Sequence, residues 1–335
     1  MKGALAPTAD ATTTPPASID PESVEKAASD LRPYLAASPL QHSQAFTSKA
    51  GCQVYLKMET AHPTRAFKVR GALTKLLRMQ PAERAAGVIT ASAGNHGQGV
   101  AYAARTFGVS ATVFVPENAN PLKVEAIKRM GARVVPSGRT YSEAAEEALR
   151  VRALTGATFV HAYDDPDVIA GQGTIGVELL QQLPQFDTVL VPVGGGGLIS
   201  GIALYLKAHR PSVQVVGVEP TGADAMTRSL TAGQQVTLPR VVTMADGLAA
   251  SSPGRLTFET TARCVDRMLV VEESEMLRAI RLYFEWEHLL AEPAGAAALA
   301  ALLYHYAPEA RERVVVLLSG ANATDEVMMR ALKAR

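Results

Sequence analysis

Thr188-Val189-Leu190-Val191-Pro192-Val193-Gly194-Gly195-Gly196-Gly197-Leu198-Ile199-Ser200-Gly201 decides the fold. No charge interrupts the chain from Thr188 to Leu206, a length that could cross a bilayer. Pro192 and four successive glycines argue against a membrane helix. Residues 188–193 read as a buried strand, the glycines as a tight turn, and 198–209 as the helix that follows. Strand, glycine turn and helix together make the first half of a βαβ unit.

Working outward, the same alternation returns along most of the chain. Gln53–Met58 places Val54, Leu56 and Met58 on one face of a strand. Residues 85–90 read as a strand leading into Ser92-Ala93-Gly94-Asn95-His96, with a helix over 100–107 closed by Gly108. Strands over 111–115, 133–136 and 158–161 alternate with helices over 121–130, 141–154 and 169–182. Beyond the glycine turn come a strand over 213–218, a β-branched strand over 313–318 and a last helix from Asp325. Strands alternating with helices of this length imply mostly parallel sheets, so the fold class is α/β, doubly wound. The segments share no fixed period, which excludes a solenoid.

Composition narrows the function classes. The 335 residues are 47% apolar and 19% charged, enough to bury a sizeable core. Lys and Arg number 33 against 32 Asp and Glu, a net charge of +1 without a basic run, so no nucleic-acid partner is expected. Cys52 and Cys264 match no metal or redox spacing and are expected to be buried small hydrophobes in a reducing cytoplasm. Residues 1–18 are mostly Ala, Thr and Pro, with no apolar stretch of the kind a signal peptide carries. A flexible tail over 1–19, a cytoplasmic location and no membrane partner are the expectations.

In a doubly wound sheet, ligands bind beyond the C-terminal strand ends. Three loops qualify. Gly194–Gly197 can bring backbone N–H groups and a helix N-terminus to an anion. No Lys-Ser/Thr follows it, and Ser200 stands where the dinucleotide fingerprint needs its third glycine. Glu219, about twenty residues on, keeps a ribose-binding reading open. Ser92–His96 suits a carboxylate held on backbone N–H groups, although His96 alone fits a core or capping histidine equally. Ser319-Gly320-Ala321-Asn322 follows the last strand, and Ser319 alone reads as a helix cap or a ligand contact.

The remaining segment, Pro63-Thr64-Arg65-Ala66-Phe67-Lys68-Val69-Arg70-Gly71-Ala72, reads on its own as a solvated basic turn. Taken with the loops it resembles the serine/threonine dehydratases, fold-type II pyridoxal-phosphate enzymes related to serine racemase. The resemblance runs from about Leu35 to the C-terminus. It also rests on Asp165-Pro166, Ile169-Ala170-Gly171-Gln172-Gly173-Thr174, Gly217-Val218-Glu219-Pro220, Ala245-Asp246-Gly247, Glu292-Pro293-Ala294-Gly295 and Ser319-Gly320, in the family's order.

The resemblance implies pyridoxal 5'-phosphate as cofactor, with Lys68 as its Schiff-base lysine and Phe67 against its ring. Gly194, Gly195, Gly196, Gly197 and Leu198 would hold its phosphate. Asn95 would meet the ring's 3-hydroxyl, Ser319 its nitrogen, and Gly247 and Glu292 would lie near it. Ser92, Ala93, Gly94, Asn95 and His96 would hold the substrate carboxylate. A hydroxyl at the ring nitrogen makes a weak electron sink, which suits prompt loss of a β-substituent. The implied reaction is β-elimination from a β-hydroxy amino acid of the L-threonine or L-serine type: Lys68 takes the α-proton, the hydroxyl leaves, and a 2-oxo acid and ammonia result. Two doubly wound domains are implied, with the active site between them: a large cofactor-binding domain from 20–80 and 165–335, and a small one from 81–164. A homodimer is implied, and no C-terminal regulatory domain, since only a short helix follows Ser319.

Three departures refine this. Ala93 stands where similar racemases place a serine, which favours dehydration over racemisation. Position 225 is Ala where metal-binding relatives have an aspartate, so Glu219 is only a weak metal ligand and no metal is expected. Arg65-Ala66 replaces the usual Gly-Ser, so Arg65 is either a surface residue or a selector of acidic substrates such as 3-hydroxyaspartate. A 3-phenylserine dehydratase, an amino-acid racemase, a nicotinamide-dependent oxidoreductase and a silent amino-acid sensor are the other readings weighed.

Overall fold

The computed structural model describes residues 19–334. The tail expected over 1–19 lies outside them except for Ile19, which is buried beside Val24 and Ala27 rather than free. One sheet contains β1 (Leu40–His42), β2 (Gln53–Met58), β10 (Arg313–Leu318), β7 (Thr188–Pro192), β8 (Gln214–Pro220) and β9 (Arg267–Val271) in that order. Only β1 runs antiparallel, against β2. The second sheet, in the order β5 (Arg133–Pro136), β4 (Ala111–Val115), β3 (Val88–Ala91), β6 (Thr158–Phe159), is wholly parallel.

The helices are α1 (Pro21–Leu31), α2 (Gln44–Ala50), α3 (Lys68–Arg78), α4 (Pro81–Ala86), α5 (Asn95–Phe107), α6 (Pro121–Arg129) and α7 (Tyr141–Thr155). They continue with α8 (Pro166–Gln182), α9 (Gly197–His209), α10 (Ala225–Ala232), α11 (Arg255–Cys264), α12 (Glu273–Glu287), α13 (Pro293–Tyr304) and α14 (Asp325–Lys333). None among the described residues is long and apolar enough to cross a membrane.

Parallel strands covered on both faces need apolar side chains on both. In the larger sheet Leu190, Val216 and Val316 face the alanine-rich α13 and α12, while Val189, Val191, Val215 and Val315 face α1, α8 and α9. In the smaller sheet Val88, Val113 and Val115 pack toward α3, α5 and Ile127 of α6, and Ile89 and Phe114 toward α7. Helices α3, α8 and α9 stack almost backbone to backbone. A Cβ on Gly171 would lie 2.6 Å from the Gly71 Cα, and one on Gly201 would lie 2.3 Å from the Ile169 carbonyl. This packing gathers the N-termini of α3, α5 and α9 near the strand ends.

Some expectations move. The strand expected over 85–90 starts only at Val88, because Pro81 and the Gln80–Glu83 capping pair start α4, which claims Ala85 and Ala86; Gly87 at φ +84° makes the turn. The strand expected over 158–161 stops at Phe159, since the His161 Nδ1 accepts the N–H groups of Tyr163 and Asp164 and bends the chain. Helix α8 starts at Pro166 behind an Asp165 cap, three residues before the expected 169. Cys52 and Cys264 are buried and free.

Candidate active site

Phe67 and Lys68 open α3. The Phe67 N–H donates to the Ser319 carbonyl at 3.1 Å and Ala66 bridges Gly320, so the start of α3 is tied to the end of β10. Lys68 Nζ donates to the Ala162 carbonyl at 2.7 Å. No carboxylate pairs with it among the described residues, and burial pushes the ammonium down to about 8. The segment therefore does not form a solvated basic turn: Arg70, one helical turn from Phe67, is fully buried.

Ser92, Ala93, Gly94, Asn95 and His96 join β3 to α5, whose first turn has no side-chain cap. Its leading N–H groups are available to an anion. The His96 ring turns inward, its Nε2 donating to the Val160 carbonyl at 2.9 Å. Burial first, then the nearby Lys68 charge, holds it down to about 3, so the imidazole is neutral and is no base at working pH.

Asn95 reaches across to the other sheet. Its Nδ2 donates to Glu292 Oε1 at 2.5 Å and its Oδ1 accepts from Asn322 Nδ2 at 2.7 Å. Glu292, at the start of α13, is pushed up to about 7 by burial and by Asp246. Ser319 is buried, its Oγ 3.5 Å from the Ala294 carbonyl. Gly247 lies beside Ala294 and Glu292: a Cβ there would meet Ala294 Cβ at 2.9 Å and Glu292 Oε1 at 4.0 Å. Lys123 of α6 forms an ion pair with Asp246, a second link between the two sheets.

The glycine run makes the turn expected of it, between β7 and α9. Gly196 has φ +94°, and Cβ atoms on Gly195 and Gly196 would lie 2.4 Å from the Tyr163 ring and 2.6 Å from Met226 Cε. A cradle of this kind exposes backbone N–H groups at a helix N-terminus, which is what a phosphate requires. Gly194 faces Leu248 beside Gly247, and Leu198 is buried behind the turn.

Two candidates stand apart. The Glu219 carboxylate is buried and accepts the Met226 and Thr227 N–H groups at 2.9 and 2.8 Å and the Thr227 hydroxyl at 2.6 Å. It caps α10, so both of its oxygens are already engaged within the fold. Arg65 is exposed, with φ +56°; among the described residues its guanidinium meets only the Thr60 carbonyl, at 3.5 Å. Sequence reasoning missed Ala162 and Tyr163, and it named Asn322 only as part of the loop after β10. Ala162 and Tyr163 follow β6, so the rule that singled out the other loops could have found them.

The pyridoxal-phosphate dependent enzyme family model matches residues 31–320. An L-threonine ammonia-lyase of Geobacter sulfurreducens is 46% identical over 300 residues, 89% of this chain and 74% of that protein. A serine racemase of Arabidopsis thaliana is 38% identical over 305 residues, 90% of this chain and 92% of that protein. The solved structure of maize serine racemase superposes with a TM-score of 0.90 at 34% identity, covering 94% of this chain and 97% of that one. A match spanning both sheets, Lys68, Ser92–His96 and Gly194–Gly197 leaves one conclusion: the chain belongs to the pyridoxal-phosphate dependent enzymes.

Proposed function

We propose that the protein is an ammonia-lyase that eliminates the β-hydroxyl of an L-threonine- or L-serine-type amino acid, yielding a 2-oxo acid and ammonia. The observation that carries this reading is Lys68: a largely buried amine, unpaired by any described acid, whose Nζ rests on the Ala162 carbonyl at 2.7 Å. Burial brings it to about 8, so a useful fraction is neutral near pH 7 and can take a proton from carbon.

The residues fit pyridoxal 5'-phosphate. Gly194–Gly197 and the α9 N-terminus would hold the phosphate. Phe67, Asn95, Gly247, Glu292 and Ser319 would surround the ring, and Lys68 would bind it covalently. When bound, the cofactor supplies the electron sink that labilises the α-proton and the β-substituent. The chain supplies placement. The N-terminus of α5, through Ser92, Gly94, Asn95 and His96, would hold the substrate carboxylate, and Lys68 would carry the α-proton, its ammonium held on the Ala162 carbonyl. Ala93 offers no hydroxyl for a second proton transfer, which favours elimination over racemisation; identity to named ammonia-lyases supports the same choice.

We take 20–80 with 165–335 as the large domain and 81–164 as the small one, in a cytoplasmic homodimer acting on a small-molecule substrate. Arg65 favours one second reading. A guanidinium without an acidic partner among the described residues, on a backbone that Arg rarely adopts, suits a substrate with a carboxylate in its side chain, such as 3-hydroxyaspartate. The test is 2-oxo acid release from L- and D-serine, L-threonine, threo- and erythro-3-hydroxyaspartate and 3-phenylserine. Turnover of one or two, abolished in Lys68→Ala, is expected. A cofactor-loaded protein inert on the whole panel would contradict the reading.

A further inference from the structure

We propose that Asn322 is a positioning residue that fixes which way round the Asn95 amide faces the cofactor ring. The proposal rests on the reading that Asn95 meets that ring. Asn322 Nδ2 lies 2.9 Å from the Thr64 carbonyl and 2.7 Å from Asn95 Oδ1. A backbone carbonyl can only accept, so the atom of Asn322 that faces it must be the NH₂ group. The second hydrogen of that group points at Asn95, whose facing atom must then be its oxygen. The Asn95 nitrogen is driven to the opposite side, where the Glu292 carboxylate accepts from it at 2.5 Å.

The backbone of Thr64 thus sets the polarity of a relay running through Asn322 and Asn95 to Glu292. The relay spans the two sheets and joins residues far apart in sequence. Gly320 packs against its end: a Cβ there would lie 2.1 Å from Glu292 Oε1 and 3.2 Å from Asn95 Nδ2, so the carboxylate has little freedom to turn away. Asp246, Lys123 and the Asn322 backbone N–H also act on Glu292, and none of them can orient Asn95. One N–H of the Asn95 amide is left over, and the relay keeps it a donor. An inverted amide would offer an oxygen in its place.

Asn322→Asp keeps the shape and removes both donors. Asn95 must then turn its nitrogen toward position 322 and its oxygen toward Glu292. In the cofactor-loaded protein the pH midpoint of the lysine–cofactor absorption band is expected to move by about one unit, the scale of one inverted hydrogen bond. The melting temperature is expected to fall. Adding Glu292→Gln lets the reversed relay close, so the melting temperature is expected to recover in part while the midpoint stays displaced. A midpoint that returns to the wild-type value with the melting temperature would show that Asn322 is merely structural and overturn the proposal.

Asn322→Ala frees the Asn95 amide without reversing it and is expected to move the midpoint less. An Ala variant that titrates as wild type overturns the proposal whether or not the Asp variant folds. Asn95→Ala separates the two levels of the argument. No shift there removes Asn95 from the ring, and the site reading fails with it; a shift there with none in the Asn322 variants defeats the relay alone.

Discussion

Lys68 and Arg70 lie two residues apart on α3, one cation largely buried and the other fully so, and the protein treats them in opposite ways. Arg70 is surrounded by acids: its Nε meets Glu59 Oε2 at 2.7 Å and its Nη1 meets Glu178 Oε1 at 2.6 Å, with Thr174 and Ser38 completing the fork. Burial opposes its charge, yet Glu59 and Glu178 outweigh burial and raise its pKa. Lys57 joins the cluster through Glu178 at 2.5 Å. Lys68 has the Ala162 carbonyl and the Phe67 ring, 5.1 Å from its Nζ, but no described acid, and burial prevails. A structural charge is neutralised where it is buried. A working amine is left uncompensated, so that its proton comes off near neutral pH.

The largest effect is expected from breaking the paired side. Arg70→Met leaves Glu59 and Glu178 buried against an apolar chain, and urea unfolding should show a loss of about 3–5 kcal/mol. Adding Glu59→Gln and Glu178→Gln should return part of it. If Arg70→Met is neutral, the cluster does not hold α3 in place.

On the unpaired side the sign reverses. Folded Lys68 gives up its proton near 8 and the unfolded chain near 10.5. Between these values the unfolded state binds more protons, so in the cofactor-free protein this residue makes stability rise with pH. Below pH 8 its burial is a standing cost. Cofactor-free Lys68→Met should therefore be more stable than wild type at pH 7, by up to about 3 kcal/mol, with the gap closing toward pH 10.5. A less stable variant at pH 7 would mean that the fold compensates the ammonium despite the lack of an acid beside it.

A smaller effect sharpens the comparison at Arg65, which has no acidic partner among the described residues and sits on a left-handed backbone. Arg65→Gly should relieve about 1 kcal/mol of strain and raise the melting temperature slightly. If the guanidinium selects acidic side chains, the ratio of kcat/KM for 3-hydroxyaspartate to that for threonine should fall about fivefold. An unchanged ratio leaves Arg65 a surface residue.

Local chemistry made the parallel strands legible in the sequence. The apolar runs that form β7 and β10 and the glycine turn between β7 and α9 need only neighbouring residues to be recognised. Helix α4 was misread because Ala85 and Ala86 look like the start of a strand when Pro81 and the Gln80–Glu83 cap are overlooked. Contacts made by distant segments left no local trace. The partners of Arg70 at Glu59 and Glu178, and those of Asn95 at Glu292 and Asn322, come from different elements of the fold. Arg70 reads as solvated for that reason, and the partners of Glu219 on α10 leave no local trace either. The motifs marked Lys68 through family resemblance; its unpaired state is visible only in the structure.

The most direct test of the unpaired lysine is to find where the cofactor attaches. Reducing the pyridoxal-phosphate-loaded protein with borohydride fixes the link, and peptide mass mapping then locates it. The account predicts the adduct on Lys68, with Lys57 unmodified although it too is a buried amine. An adduct on Lys57 or any other lysine, with Lys68 free, would contradict it.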